Sequence, residues 1–242
     1  MSCYVQNVRS LKAVRAVESS FESKISPLQD IVYGQDLDII SLSETWLNES
    51  VSDQEILPVS YDIYRSDRLG RSGGGTLTAI KTTLSSSQVP IPSDFSSLEM
   101  VVVEIGSLKN DRSILVINCY RPPSDFDFVS RFSGFLQSLE INHYYSILAV
   151  GDFNFPNIQL VEGSGFAYSS SGEEASFASL LMDYYLFQLV EHPTRGNNIL
   201  DLLITNTPTF ITAGPMTGPQ WSDTGVPSDH FPVILIYLWM CG

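Results

Sequence analysis

Apolar runs of strand length recur along the chain: Leu37 to Ser43, Thr76 to Ile80, Met100 to Ile105, Ser113 to Cys119, Ser146 to Val150, Leu200 to Thr205 and Val233 to Tyr237. Turn-forming residues separate them. The runs are rich in β-branched residues and nearly continuous, as in central strands covered on both faces. Helical patterning is rarer. Ser26-Pro27 reads as an N-cap and first helical residue leading into Leu28, Ile31 and Val32, and Glu173 to Tyr185 puts Phe177, Leu180, Leu181 and Tyr184 on one face. The expectation is an α/β fold, a mixed layered sandwich.

With 242 residues, 43% of them hydrophobic, the chain can bury one substantial core. A single domain over 1–242 is expected, with its core over about 5–237. Arg15 to Ser26, Ser85 to Ser97 and Gly163 to Gly172 have loop composition, and no internal repeat is visible. Cys3, Cys119 and Cys241 lie far apart with no CxxC pair, which points away from zinc or a disulfide framework and fits a reducing, intracellular setting. Met1 to Lys12 is polar and mixed, unlike a signal peptide. The longest apolar run, Pro232 to Cys241, is too short to span a bilayer and reads as a buried terminal strand. No membrane association is expected.

Charge complicates any nucleic-acid reading. With 27 acidic and 13 basic residues the net charge is −14, whereas proteins that hold a phosphate backbone usually present a basic face. The basic residues are unevenly spread, however. Arg65, Arg68 and Arg71 cluster around Ser72-Gly73-Gly74-Gly75, and Arg121 and Arg195 each stand beside a polar motif, so a local basic rim on an acidic body is compatible with the composition.

Carboxylates at strand exits carry the chemical argument. Glu44 follows Ile39-Ile40-Ser41-Leu42-Ser43, where an uncompensated charge is costly, so something cationic should face it. A hard divalent ion takes one or two carboxylates plus water and phosphate oxygens, which suits Glu44; a partly exposed turn Glu is the plainer alternative. Leu148-Ala149-Val150-Gly151-Asp152-Phe153-Asn154 repeats the arrangement, and two residues apart in an extended segment share a face. Asp152 can orient and deprotonate a water, and Asn154 can donate to a phosphate oxygen, although an Asx turn closing the strand is the competing explanation. His230 follows Ser228-Asp229, and Asp201 lies on a strand able to present a second carboxylate. An imidazole held by a carboxylate has a fixed tautomer and raised basicity, suited to proton transfer or to stabilising charge on phosphorus. His143 and His192 lack such company and read as surface or loop residues. Tyr120 ends a strand beside Arg121, and Pro122-Pro123 stiffens the next loop, so its phenol could donate to phosphate; an aromatic core residue is the alternative.

Gln6-Asn7-Val8-Arg9-Ser10-Leu11, Leu42-Ser43-Glu44-Thr45-Trp46-Leu47, Asn118-Cys119-Tyr120-Arg121-Pro122-Pro123, Gly151-Asp152-Phe153-Asn154, Thr194-Arg195 through Leu200-Asp201-Leu202, and Ser228-Asp229-His230 occur in that order. Together they resemble the endonuclease/exonuclease/phosphatase superfamily, most closely the apurinic-like endonuclease domain of non-LTR retrotransposons, over about Val5 to Val233. The resemblance implies a four-layer α/β sandwich with two packed mixed β-sheets flanked by helices. It implies that Asn7 and Glu44 help hold Mg2+ or Mn2+ with Asp229 close by, and that Tyr120 contacts the scissile phosphate. By the same resemblance Asp152 activates the attacking water, Asn154 positions Asp152 and phosphate, and Asp201 orients His230, which faces the phosphate. Thr194 and Ser228 are supporting residues. The group acting as general base stays open.

The implied activity is metal-dependent DNA nicking by water attack on phosphorus, leaving a 3′ hydroxyl. The alternatives are a phosphodiesterase acting on another ester and a non-catalytic relic of a retrotransposon. No GxSxG elbow supports serine-hydrolase chemistry. DNA is the expected partner, with a reverse transcriptase domain in a longer parent polyprotein, a monomeric state and an intracellular, nuclear location. Arg65, Arg68, Arg71, Arg121 and Arg195, in the loop Ser66 to Gly75 and beside the motifs, are candidate DNA contacts, as is the loop before Ser228. A tight hairpin explains the Gly73 to Gly75 run at least as well. The end of the chain, Leu238 to Gly242, is expected to lie outside the conserved fold, and the chain to be a fragment or isolated domain.

Overall fold

Alternation along the strands sets the layering. In Ser113–Tyr120, Ile114 and Val116 enter one buried cluster while Leu115, Ile117 and Cys119 enter another. Such a strand has two dry faces and must lie inside a stack. The computed structural model describes residues 1–17, 20–106, 113–161, 164–170, 172–215 and 226–238.

Two six-stranded mixed sheets form the centre of that stack. The first runs Ile211–Pro215, Val233–Tyr237, Ser2–Asn7, Ile39–Ser43, Thr76–Lys81, Tyr61–Ser66. The second runs Phe187–Gln188, Asp201–Thr205, Tyr144–Asp152, Ser113–Tyr120, Glu99–Ile105, Ser86–Gln88. Each has one parallel pair at its middle, Ser2–Asn7 with Ile39–Ser43 and Ser113–Tyr120 with Tyr144–Asp152, and antiparallel neighbours outside.

Three apolar clusters match the interfaces of four layers. Cys3, Val5, Ile39, Val101, Val116, Leu148, Val150 and Leu203 fill the space between the sheets. Tyr4, Ile40, Leu42 and Leu77 meet Leu28, Ile31 and Val32 of helix Ile25–Gln35 on the outside of the first sheet. Leu115, Ile117 and Ala149 meet Phe128, Phe132, Phe135, Phe177 and Leu181 of helices Phe128–Ser138 and Gly172–Asp183 on the outside of the second. The fold is therefore the four-layer α/β sandwich expected.

Several local expectations change. Arg15 to Ser26 is not a loop: Val14–Val17 pairs antiparallel with Ser20–Ser23, and the helix begins at Ile25 with Lys24 at its N-cap, just ahead of the Ser26-Pro27 signal. Helix Phe128–Ser138 and strand Tyr61–Ser66 were not anticipated. Ser85 to Ser97 contains strand Ser86–Gln88 and a turn of 3-10 helix, Ser93–Phe95. Ala167–Tyr168 makes a short ribbon with Gln159–Leu160 inside the expected Gly163 to Gly172 loop, part of which, like the loop before Ser228 and the segment 239–242, lies outside the described residues. Among the described residues no helix is long and apolar enough to cross a membrane.

Candidate active site

The two parallel pairs end at one edge of the sandwich, where ligands of α/β sheets commonly sit. Asn7 closes the first strand, Glu44 follows Ser43 of its parallel neighbour, and Tyr120 and Asp152 close the equivalent pair in the second sheet. Asp201 opens the strand antiparallel to Tyr144–Asp152 and pairs with Asp152 in register. His230 precedes Val233, which pairs with Val5. Sheet register thus gathers residues far apart in sequence.

Asn7 links the sheets. Its buried Nδ2 donates to Glu44 Oε1 at 2.9 Å and to Asp152 Oδ2 at 2.7 Å, and its Oδ1 accepts from the Arg9 amide at 3.0 Å. Trp46 Nε1 donates to Glu44 Oε2 at 3.2 Å. Glu44 and Trp46 have φ of 50° and 53°, a left-handed conformation uncommon for such residues. The neighbouring loops hold it: Ser10 N–H donates to Glu44 O, and Trp46 N–H to Gly74 O. Among the described residues no cationic side chain forms an ion pair with Glu44.

Asp152 is buried, which pushes its carboxyl well above the usual range; Asp201 adds to the rise, while His230 and the Asn7 amide oppose it. His230 Nε2 lies 4.0 Å from Asp152 Oδ2, the oxygen that also accepts from Asn7. Nδ1 of the same ring is 2.7 Å from Asp201 Oδ2, and a carboxylate only accepts, so Nδ1 carries the proton. Burial disfavours the charged ring, but Asp201, Asp152 and Asp229 outweigh it and raise the His230 pKa. Asp201 Oδ1, fully buried, has no hydrogen-bond partner among the described residues. Asp152, Asp201 and His230 present ligand-type atoms within 4.8 Å of one another. Because Asp201 already occupies Nδ1, that trio is better built to hold a proton than a cation. Glu44 and Asp152 bring two carboxylates together across the Asn7 amide nitrogen, and carboxylate oxygens suit a hard divalent ion.

The supporting residues act through the backbone. Thr194 Oγ1 accepts from the amides of Leu200 and Asp201 at 3.0 Å each, and Thr194 O accepts from Phe231 N–H. Ser228 Oγ donates to Asn7 O at 2.7 Å and accepts from the His230 amide at 3.3 Å. Gln6, missed in the sequence, donates to the carbonyls of Val226 and His230. The signal in the sequence was a Gln directly after the apolar Cys3-Tyr4-Val5 run, and in the structure its side chain is 1% exposed.

Other sequence candidates fall differently. Asn154 does not share a face with Asp152 by strand alternation, because its φ is 50°; its amide N–H closes an Asx turn on Asp152 Oδ1 and its Nδ2 caps Arg121 O. The competing Asx turn is thus present at this candidate site residue. Tyr120 is nearly buried under the Arg68 guanidinium, 5.6 Å from the ring centroid. Burial, Glu44 and Asp152 push its phenol pKa upward, keeping it a donor.

Three of the candidate DNA-binding arginines are committed inside. Arg65 binds the Val51 and Asn48 carbonyls with Asp53 and Asp67, Arg68 forks onto Glu99, and Arg121 joins Glu173 over the Phe155 ring. Gly73 to Gly75 leave room for this, since a Cβ on Gly74 would lie 2.2 Å from Glu99 Oε2. Arg71 and Arg195 remain substantially exposed. Asp229 is not grouped with Glu44: Arg195 and Arg9 both pair with its Oδ2. Partial burial works against its ionisation, but Arg195, Arg9 and His230 hold its carboxyl below the ordinary value.

No curated protein matches the chain by sequence. Among solved structures, the endonuclease domain of TRAS1, a telomere-specific non-LTR retrotransposon, superposes with a TM-score of 0.68 at 14% identity, covering 100% of this chain and 99% of that one. The AP endonuclease LMAP from Leishmania major gives 0.69 at 15% identity over 98% and 87%, and the APE2 catalytic domain of Xenopus laevis gives 0.65 at 14% over 98% and 91%. These likenesses establish the fold. A family profile described as endonuclease-reverse transcriptase matches residues 114–234. With half the chain matched and the fold in agreement, the protein belongs to this family, within the endonuclease/exonuclease/phosphatase superfamily.

Proposed function

We propose that the chain is a divalent-metal-dependent DNA endonuclease that nicks one strand and leaves a 3′ hydroxyl. One observation carries the reading: the Asn7 amide joins the Glu44 and Asp152 carboxylates across the two sheets, and an Asp201-backed imidazole stands 4.0 Å beyond. The similar solved structures are described as nucleases and phosphatases, including a Neisseria 3′ phosphatase bound to a DNA hairpin, which supports a phosphate ester in DNA as substrate.

Glu44 and Asn7, with Asp152 beside them, would hold Mg2+ or Mn2+, which when bound neutralises charge on a phosphate oxygen. Asp152 orients the water and takes its proton as the new bond to phosphorus forms. The P–O5′ bond is left intact and the bond from phosphorus to the departing 3′ oxygen of the upstream nucleotide breaks, that oxygen taking a proton from solvent. The His230 ring, protonated on both nitrogens as the surrounding carboxylates favour and fixed by Asp201 through Nδ1, donates from Nε2, and the Tyr120 phenol likewise, to the oxygens on which charge accumulates. Thr194, Ser228 and Asn154 fix the backbone that presents these groups.

Supercoiled plasmid incubated with Mg2+ or Mn2+ at low salt tests this. Wild type should produce the open-circular form, and His230→Ala and Glu44→Ala should each lose about a hundredfold or more of that rate. Variants that nick as fast as wild type would show the assigned site to be wrong. Hydrolysis of a small phosphodiester with plasmid untouched would favour the phosphodiesterase alternative.

A further inference from the structure

Asp229 immediately precedes His230, yet its carboxylate serves two arginines. Arg9 Nη1 lies 3.0 Å and Arg195 Nη2 2.8 Å from the same oxygen, Oδ2. The arginine side chains are 55% and 43% exposed, and among the described residues neither guanidinium has another hydrogen-bond partner. Each therefore keeps most of its N–H donors free, and the trio carries net positive charge. Exposed ion pairs of this kind add little to stability, so fold maintenance does not account for the arrangement.

Its attachments are to the site. Arg9 N–H donates to Asn7 Oδ1, Ser10 N–H donates to Glu44 O, and Lys24 Nζ donates to the carbonyls of Val8 and Arg9 at 2.8 and 2.9 Å. Arg9 and Ser10 hold φ of 43° and 74°, two successive left-handed residues pinned by these bonds. Arg195 follows Thr194, whose hydroxyl accepts from the Asp201 amide and whose carbonyl accepts from Phe231 N–H. The segments bearing Asn7, Asp201 and His230 thus each send one residue to the trio.

Resting on the nuclease reading above, we propose that Asp229 is a positioning residue for a two-armed arginine clamp, Arg9 and Arg195, that grips a DNA backbone phosphate beside the scissile one, and is not a ligand of the metal. Guanidinium presents parallel N–H groups that match phosphate oxygens. On a body of net charge −14, a fixed local cation pair beside the site is also what lets a polyanion approach. Without Asp229 the two guanidiniums repel each other and splay.

Binding of a short fluorescent duplex in EDTA, read by anisotropy against salt, separates the clamp from catalysis. Arg9→Ala and Arg195→Ala should each weaken binding severalfold and reduce the log Kd against log salt slope by about 0.9, with the lysine variants restoring the slope. Asp229→Asn should weaken binding severalfold when both arginines are present and have no effect in the Arg9→Ala, Arg195→Ala double variant. Mn2+ affinity, read by electron paramagnetic resonance, should be unchanged in Asp229→Asn and fall tenfold or more in Glu44→Gln. Unchanged slopes in both alanine variants, or a loss of Mn2+ affinity in Asp229→Asn matching that of Glu44→Gln, would overturn the clamp. Wild type that binds duplex with the full slope but nicks nothing would instead sink the nuclease reading and leave the clamp standing.

Discussion

Gly151 sits between a motif and a strand partner, and its lack of a side chain is what brings the two together. Its φ is 122°, and a Cβ there would lie 2.1 Å from the Cys119 carbonyl oxygen. Gly151→Ala should therefore cost about 3 kcal/mol, combining a disallowed backbone angle with a clash against unyielding main chain. A lowered urea midpoint with unchanged slope is the expected readout. The buried cysteines give a second expectation. Burial, partly offset by Ser41, pushes the Cys3 thiol up to about 12, and burial with Glu99, Asp125 and Asp152 raises Cys119 as well. The folded state holds these protons while the unfolded chain releases them, so their contribution to stability is present below about pH 9 and lost as pH rises through the folded value. Iodoacetamide at pH 8 should leave Cys3 and Cys119 unmodified in native protein and label both in urea, as peptide mass spectrometry would show. Much of the site was legible at this scale, because Glu44, Asp152 and Asp201 are acids at the ends of apolar runs. Arg9 was not: it lay inside a recognised motif, but a charged residue's partner is set by what folds opposite it. Arg65, Arg68 and Arg121 misled for the same reason.

Elements followed from periodicity where burial was two-sided. Val233–Tyr237 has the bounds its run predicted, and the runs ending in Cys119 and Val150 extend to Tyr120 and Asp152, placing the polar ends on strand rather than loop. Helix Phe128–Ser138 escaped notice although Phe128, Val129, Phe132, Phe135 and Leu136 form one helical stripe. Its N-cap residue, Asp127, is of a favoured type but makes no side-chain capping bond. The hairpin of Val14–Val17 with Ser20–Ser23 escaped because Arg15 to Ser26 as a whole is polar and serine-rich. Aromatic packing gives this level its test. Phe177 is fully buried, with its ring centroid 4.7 Å from Phe155 and 5.4 Å from Phe153. Phe177→Ala should cost about 3–5 kcal/mol. Because Phe153 lies between Asp152 and Asn154, the same variant should also slow nicking beyond what the residual folded fraction explains. Circular dichroism melts alongside the plasmid assay would separate the two effects.

At the scale of the molecule, the site is a seam. Asn7 and Glu44 come from one sheet and Asp152 from the other, so a cation bound among them ties the halves of the sandwich together. Mg2+ or Mn2+ at about a hundred times its dissociation constant should raise unfolding free energy by about 2.7 kcal/mol, and Glu44→Gln should abolish that increment. No metal-dependent change in the urea midpoint of wild type would argue against a bridging ion. The sequence alone determined the layers: near-continuous β-branched runs must be covered on both faces, and the ordered motifs carried the family with them. Tertiary structure decided which charges meet. Hydrophobic burial is non-directional and readable along the chain, whereas an ion pair or a hydrogen bond depends on two positions that only sheet register and layer stacking bring within about 3 Å. That is why Glu44, Asp152 and His230 could be picked out one by one, and Asp201 matched to His230 through the family resemblance, while the Asn7 bridge and the arginines on Asp229 appear only in the folded chain.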